Sequence, residues 1–201
     1  EILIGLVGSE MCIRDSRIYK ATQDVLKQAG YRQYEISNFA QPGYACRHNI
    51  GYWTRENYLG LGLGASSLVE NVRYTNTRQL YEYGEFCDHL QEKSPAEFLK
   101  DGEHAVPEDL WIGSCVQEQA QILTRKEQME EFMFLGLRKM NGISKKEFSE
   151  YFGKGLEDIY GEPICKLESL KLLEQDDDRV WLTKRGIDVS NSVFVEFLLE
   201  E

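Results

Sequence analysis

The densest chemistry in the chain lies in Tyr44-Ala45-Cys46-Arg47-His48-Asn49-Ile50-Gly51-Tyr52-Trp53-Thr54-Arg55. This stretch sets one of only 3 histidines beside a thiol, two adjacent aromatics and two arginines, directly after the loop signal Pro42-Gly43. An imidazole so placed can ligate haem iron. The flat rings of Tyr52 and Trp53 can cover a porphyrin face, and Arg47 or Arg55 can pair with propionates. The residues alone leave a plainer account open, a loop histidine that is simply packed and hydrogen-bonded. Cys46-x-His48 is also half of a zinc site, but no second ligand pair follows it.

Other motifs carry less. Gly60-Leu61-Gly62-Leu63-Gly64-Ala65 contains G-x-G-x-x-A, yet Ser66 to Thr77 does not read as the helix a dinucleotide site needs. Leu59, Leu61 and Leu63 alternate with those glycines and predict a buried strand whose backbone is closely approached on one face. Asp176-Asp177-Asp178 reads as a solvated turn, without the spaced oxygens of a calcium loop. His89 and His104 stand alone. Cys87, Cys115 and Cys165 show no partner, and Cys165 is expected in the core of an apolar helix face.

The elements that must position these residues follow from spacing. Ile18, Ala21, Val25, Leu26 and Ala29 mark a helix stopped by Gly30, and Tyr31 to Ser37 reads as a strand. Together they predict the αβ step of a parallel sheet or barrel. Residues 66–124 are the least legible and read as a loop followed by helical connectors. From Leu123 the texture is helical. Thr124 caps a helix with Met129, Phe132, Met133, Leu137 and Met140 on one face, and Ser144 caps a short one through Phe152. A helix over 156–173 turns Ile159, Tyr160, Ile164, Leu167 and Leu170 inward despite Pro163. The aspartate turn leads into the strand Val180-Trp181-Leu182. Thr183 then caps a last helix with Ile187, Val189, Val193, Phe194, Phe197 and Leu198. Three helices, a β-wing and a further helix predict a winged-helix-like module.

Composition narrows the function classes. The 201 residues carry 23 Lys+Arg against 34 Asp+Glu, net −11. That acidity argues against nucleic acid or anionic membrane as a partner. No apolar run approaches the roughly 18 residues of an integral membrane segment. The 5 cysteines are scattered, with no CxxC or CxxxCxxC. A disulfide scaffold and an iron–sulfur cluster held by this chain are therefore not expected, and a reducing cytoplasm is.

Residues 1–16 read as a translated sequencing adapter. Met11 to Ser16 is what ATG TGT ATA AGA GAC AGN encodes, the mosaic end used to fragment DNA, and Leu6 to Glu10 continues it in frame. On that reading Cys12 is not native and the natural chain begins upstream of Arg17. The apolar start also lacks the basic flank of a signal peptide.

Tyr34-Glu-Ile-Ser-Asn-Phe-Ala40, Pro42-Gly43, Cys46-Arg-His-Asn49, Tyr52-Trp53 and Tyr58-Leu-Gly-Leu-Gly-Leu-Gly-Ala65 together resemble the HemW family of radical-SAM proteins. These are related to oxygen-independent coproporphyrinogen III oxidase (HemN) and regarded as haem chaperones. The tail from Met129 to Leu198, with Gly161-Glu-Pro163, Leu182-Thr183-Lys-Arg-Gly186 and Asn191, resembles the HemN C-terminal domain. The resemblance implies an α/β + α fold: the C-terminal remnant of a radical-SAM (β/α) barrel over 17–80, a helical connector over 81–124, and the winged-helix-like domain over 125–201. It further implies haem contacts at His48, Asn49, Tyr52 and Trp53, matching H-N-x-x-Y-W, with His48 on the iron. Ala40 matches a position lining the S-adenosylmethionine pocket.

Two departures stand out. Gly64-Ala-Ser66-Ser67 lacks a histidine often found there, which weakens a bis-histidine site. The CxxxCxxC that holds the family's 4Fe–4S cluster would lie upstream of Arg17, so the cluster and S-adenosylmethionine chemistry belong to the parent and this chain alone should be inactive. The expected function is a fragment of a haem chaperone that delivers haem to apo-haemoproteins. Rival readings are a true oxidase of porphyrin biosynthesis and a winged-helix nucleic-acid reader. The net −5 of residues 125–201 disfavours the latter.

Overall fold

The computed structural model describes residues 17–84 and 117–199. The adapter-like segment with Cys12, and Cys87, His89, His104 and Cys115, lie outside the described residues. The described residues divide into two compact units, 17–55 with 129–199, and 56–84 with 117–128.

In the first unit, helix α1 (residues 17–28) ends as expected, with Gly30 at φ 83° and the Tyr31 N–H donating to Leu26 O at 2.9 Å. The expected strand over 31–37 is corrected. A strand forms at β1 (Arg32–Glu35) but turns back into a hairpin, antiparallel to β2 (Asn38–Ala40), and among the described residues it is not one step of a parallel sheet. The cause is Glu35, whose buried carboxylate accepts from Ser37 N at 2.7 Å and Asn38 Nδ2 at 2.6 Å, so the chain turns where a strand would run on. Residues 138–140 bind the open side of β1, with Ile36 N–H donating to Arg138 O and Met140 N–H to Tyr34 O. Between the hairpin and that segment comes α2 (Arg47–Trp53), which carries the motif.

Helix α4 (Arg125–Gly136) begins with the expected capping box: Thr124 N–H donates to Glu127 Oε2 at 2.7 Å, and Glu127 N–H to Thr124 Oγ1 at 3.3 Å. Strand β6 (Ile143–Ser144) leads into α5 (Lys145–Phe152), capped by Ser144 and stopped by left-handed Gly153. Then come α6 (Leu156–Ser169), β7 (Leu173–Gln175), β8 (Arg179–Leu182), α7 (Lys184–Asp188) and α8 (Ser190–Val195). The three strands form an antiparallel sheet in the order β6-β8-β7. Entry into β6 needs Gly142, whose φ is +62° and whose Cβ, if present, would strike the Val180 carbonyl.

Met133, Phe148, Tyr160 and Phe197 are fully buried at the centre of this core. Phe148 meets Tyr160 edge-on at 5.9 Å, and Tyr160 meets Phe197 at 5.5 Å. Three expectations are corrected here. Cys165 is exposed, because the buried stripe runs Leu156, Tyr160, Ile164, Leu167 and Cys165 sits a hundred-degree step off it. Leu170 is exposed because α6 stops at Ser169 and Lys171 turns left-handed at φ 59°. The last helix breaks at Val189, leaving Val189 and Leu198 exposed while Val193 and Phe197 are buried.

Burial, and secondarily the Glu130 charge, push the Tyr160 phenol well above its usual range. Its hydroxyl is buried without a hydrogen-bond partner. A lost hydrogen bond therefore cannot offset its desolvation. Tyr160→Phe is expected to leave stability unchanged or raise it by up to about 1 kcal/mol in urea unfolding. A clear loss would mean that the hydroxyl has a partner.

In the second unit the sequence reading of 66–124 is corrected by strands. β3 (Ser66–Val69), β4 (Val72–Asn76) and β5 (Gln117–Ile122) form an antiparallel sheet in that order, with residues 80–84 helical as α3. Glu70 and Asn71 turn β3 into β4 with φ of 48° and 64°, the tight hairpin that matches strand twist. The expected buried strand at 59–64 is also corrected. That segment is a loop with Leu59 64% and Leu61 80% exposed. Asn76 Nδ2 donates to Gly60 O and Gly62 O at 3.0 and 2.9 Å, taking the place of a strand partner. The close approach does occur at Gly60, where a Cβ would strike the Ser66 carbonyl. Among the described residues no helix is long and apolar enough to cross a membrane.

Candidate functional site

The motif folds as two turns of helix after Gly43, itself at φ 86°. Cys46 occupies the N-cap without a side-chain capping bond, and Thr54 closes the far end by donating from Oγ1 to Ile50 O at 3.0 Å. Helical spacing puts His48 and Tyr52 one turn apart on the same face. Their rings meet edge-on at 4.7 Å and 69°. His48 is exposed and Tyr52 half-buried, so the imidazole is braced on one side and open on the other.

Asn49, Trp53 and Arg55 face the protein. Asn49 Nδ2 donates to the Tyr34 hydroxyl at 3.3 Å. Trp53 lies under the Arg138 guanidinium, 4.4 Å from ring centroid to Cζ. Arg138 in turn reaches Glu35 Oε2 at 3.3 Å, and Glu35 is wholly buried. Trp53 Nε1 and Arg138 Nε are buried with no hydrogen-bond partner. Arg55 is drawn into a buried pair with Glu131, Nε to Oε2 at 3.0 Å, with side chains only 10% and 7% exposed. That corrects its reading as a propionate partner, since its charge is already neutralised. Arg47 is exposed.

His48 and Tyr52 are thus brought together, while Asn49 and Trp53 anchor the helix to β1 and to 138–140. Ala40 ends β2 opposite Arg32, on the hairpin and not on the motif helix. Sequence reasoning missed Glu35, Arg138 and Glu131. Their signal was faint: Glu35 is a lone charge, Glu131 and Arg138 each stand beside a like charge (Glu130, Lys139), and the partners of all three lie far away in the chain. A cavity of about 440 Å³ adjoins the other side of α2, lined by Tyr34, Ile50, Thr54, Lys139, Glu147 and Arg179 among others. Desolvation holds the Lys139 ammonium below the usual lysine range, with Glu147 opposing and Arg179 assisting.

The donor set fits one group and not another. An exposed imidazole backed by a tyrosine ring is a nitrogen donor of the kind that would hold haem iron. Among the described residues no three His, Cys, Asp or Glu side chains are grouped to hold a metal ion. The two described cysteines, Cys46 and Cys165, are free. Two thiols do not fit an iron–sulfur cluster, which takes three thiolates.

Residues 123–189 match the HemN C-terminal domain family. The chain is 36% identical over 188 residues to the heme chaperone HemW of Lactococcus lactis, covering 94% of this chain and 43% of that protein. It is 33% identical to the heme chaperone HemW of Bacillus subtilis, covering 93% and 43%. A likeness of 26% extends to the radical S-adenosyl methionine domain-containing protein 1, mitochondrial, of Danio rerio, over 91% and 38%. Among solved structures, coproporphyrinogen III oxidase (HemN) from Escherichia coli, a radical SAM enzyme, superposes with a TM-score of 0.59 at 16% identity, over 89% of this chain and 39% of that one. That likeness shows a shared mixed α/β fold. The chain spans about two fifths of the length of these HemW relatives.

Proposed function

Because the chain carries a HemN C-terminal domain over residues 123–189 and is HemW-like along most of its length, we propose that it is the haem-handling segment of a haem chaperone. The carrying observation is the placement of His48, exposed on α2 and braced edge-on by Tyr52 at 4.7 Å. Haem is the cargo. His48 supplies a nitrogen lone pair to the iron, and Tyr52 limits the ring's rotation. Asn49 and Trp53 fix the helix that presents both. Exposed Arg47 is the one motif arginine left for a propionate. Open presentation suits a carrier, since a ligand held on a surface can be passed to an acceptor without unfolding the donor.

Several further parts of the reading rest on the resemblance. Apo-haemoproteins are the proposed acceptors and the cytoplasm the proposed compartment. Residues 125–201 are proposed as a winged-helix-like domain, with β7 and β8 as the wing. Ala40 is proposed to line the S-adenosylmethionine pocket of a longer protein, whose 4Fe–4S cluster would be held by residues other than these.

The test is transfer. With haem bound at one equivalent, addition of an apo-haemoprotein should make the acceptor's Soret band grow as the chain's declines, faster than free haem loads the acceptor. Haem that stays on the chain, or reaches the acceptor no faster than free haem does, would contradict a chaperone role.

A further inference from the structure

We propose that the groove between α1, the β1–β2 hairpin and α7 is a second ligand site, built for a planar apolar ring system that carries two carboxylates. Its volume is about 710 Å³, within the roughly 300–1,000 Å³ of small-molecule sites. The floor is apolar, formed by half-buried Phe39, Met140 and Ile187. The rim is cationic. Lys27, Arg32 and Lys184 are exposed there and, among the described residues, have no acidic partner. Lys20 is the fourth cation and lies 3.7 Å from Asp188, while Asp24 is the other carboxylate. Four cations against two acids reverse the sign of a chain whose net charge is −11. The excess of two positive charges over an apolar floor matches a dianion with an apolar body.

The wall between floor and rim is already ordered. Gln23 Nε2 donates to Gln33 Oε1 at 3.0 Å, and Gln33 Nε2 donates to the Tyr19 hydroxyl at 2.6 Å and to Ile36 O at 2.8 Å. With those polar groups occupied by one another, the wall presents little that a ligand must desolvate. The next residue along β1, Tyr34, accepts from Asn49 of the motif helix. One strand therefore joins the groove to the element that bears His48. The ligand class, a planar tetrapyrrole dicarboxylate, rests on the haem reading; the charge and volume of the groove do not.

Iron-free protoporphyrin IX is the probe, because it has no axial position and so cannot bind through His48. Fluorescence titration of the full chain should show saturable binding. Lys27→Glu/Arg32→Glu should weaken that binding roughly tenfold, since it reverses two rim charges. His48→Ala should leave it unchanged, as should Lys154→Glu, an exposed charge reversal outside the groove. The dimethyl ester of the probe should bind no better to the wild type than to the double variant. No saturable binding, equal affinity in a double variant with wild-type circular dichroism, or an equal loss in Lys154→Glu would overturn the proposal. Loss in His48→Ala would overturn it too, by placing the porphyrin at the motif. Failure here with iron ligation by His48 intact would leave the haem reading standing.

Discussion

Glu35→Ala is expected to lower the unfolding free energy by about 3–5 kcal/mol, the cost of stranding the partner of a buried charge. The carboxylate is wholly inaccessible and accepts from Ser37 N, Asn38 Nδ2 and Arg138 Nη2 at 2.7, 2.6 and 3.3 Å. Truncation leaves the Arg138 guanidinium, one nitrogen of which is already unpartnered, without its counter-charge. It also removes the link that turns β1 into β2. By contrast, Glu150→Ala breaks only the exposed pair with Lys146 at 3.6 Å, worth at most about 0.5 kcal/mol. Urea unfolding of the two variants side by side checks the contrast, and a double-mutant cycle with Arg138→Ala isolates the coupling. A loss below about 1 kcal/mol for Glu35→Ala would mean that water reaches the pair.

The second large effect belongs to the core. Phe148 has no accessible surface and touches Phe152, Phe132 and Tyr160 at ring separations of 4.7, 5.5 and 5.9 Å. Phe148→Ala is expected to cost about 3–5 kcal/mol, because three rings lose a shared neighbour and cannot all collapse into the space. Phe148→Leu, which keeps most of the volume, should cost under about 1.5 kcal/mol. Tyr151→Ala is the control, since Tyr151 is 68% exposed. Similar midpoints for Phe148→Ala and Tyr151→Ala would contradict a common core built on α4, α5, α6 and α8.

Stability and site are linked by those same contacts. Glu35 holds Arg138, Arg138 covers Trp53, and Trp53 ends the helix that presents His48. Arg55, two residues further on, is pinned to Glu131 of α4. The motif helix is only seven residues long, too short to hold itself in water. Its order comes from these tertiary anchors, most of them outside the motif.

What could be read from the sequence was local. Thr124, Ser144 and Thr183 were legible as caps because a cap bonds three residues away, and each does so here. The aspartate turn before β8 was legible for the same reason: Asp176 Oδ1 accepts from Asp178 N and Arg179 N. The motif from His48 to Trp53 stood out by residue type. What escaped depends on distant partners. Leu59, Leu61 and Leu63 have the alternation of a strand, but the Asn76 side chain takes the carbonyls a neighbour strand would need. β5 pairs with β4 across some forty residues of chain, and no local pattern announces that. Glu35 reads as one polar residue in Tyr34 to Ala40 until Arg138, 103 positions later, gives it a partner.

The central claim is that His48 holds haem iron, and a visible-absorption titration of the chain with haem, beside His48→Ala, tests it most directly. His48 is exposed, so the substitution removes a ligand without emptying a core. The expected result is a saturable Soret shift in the wild type that is lost in His48→Ala while circular dichroism stays the same. An equal shift in both proteins would place the iron elsewhere and contradict the account.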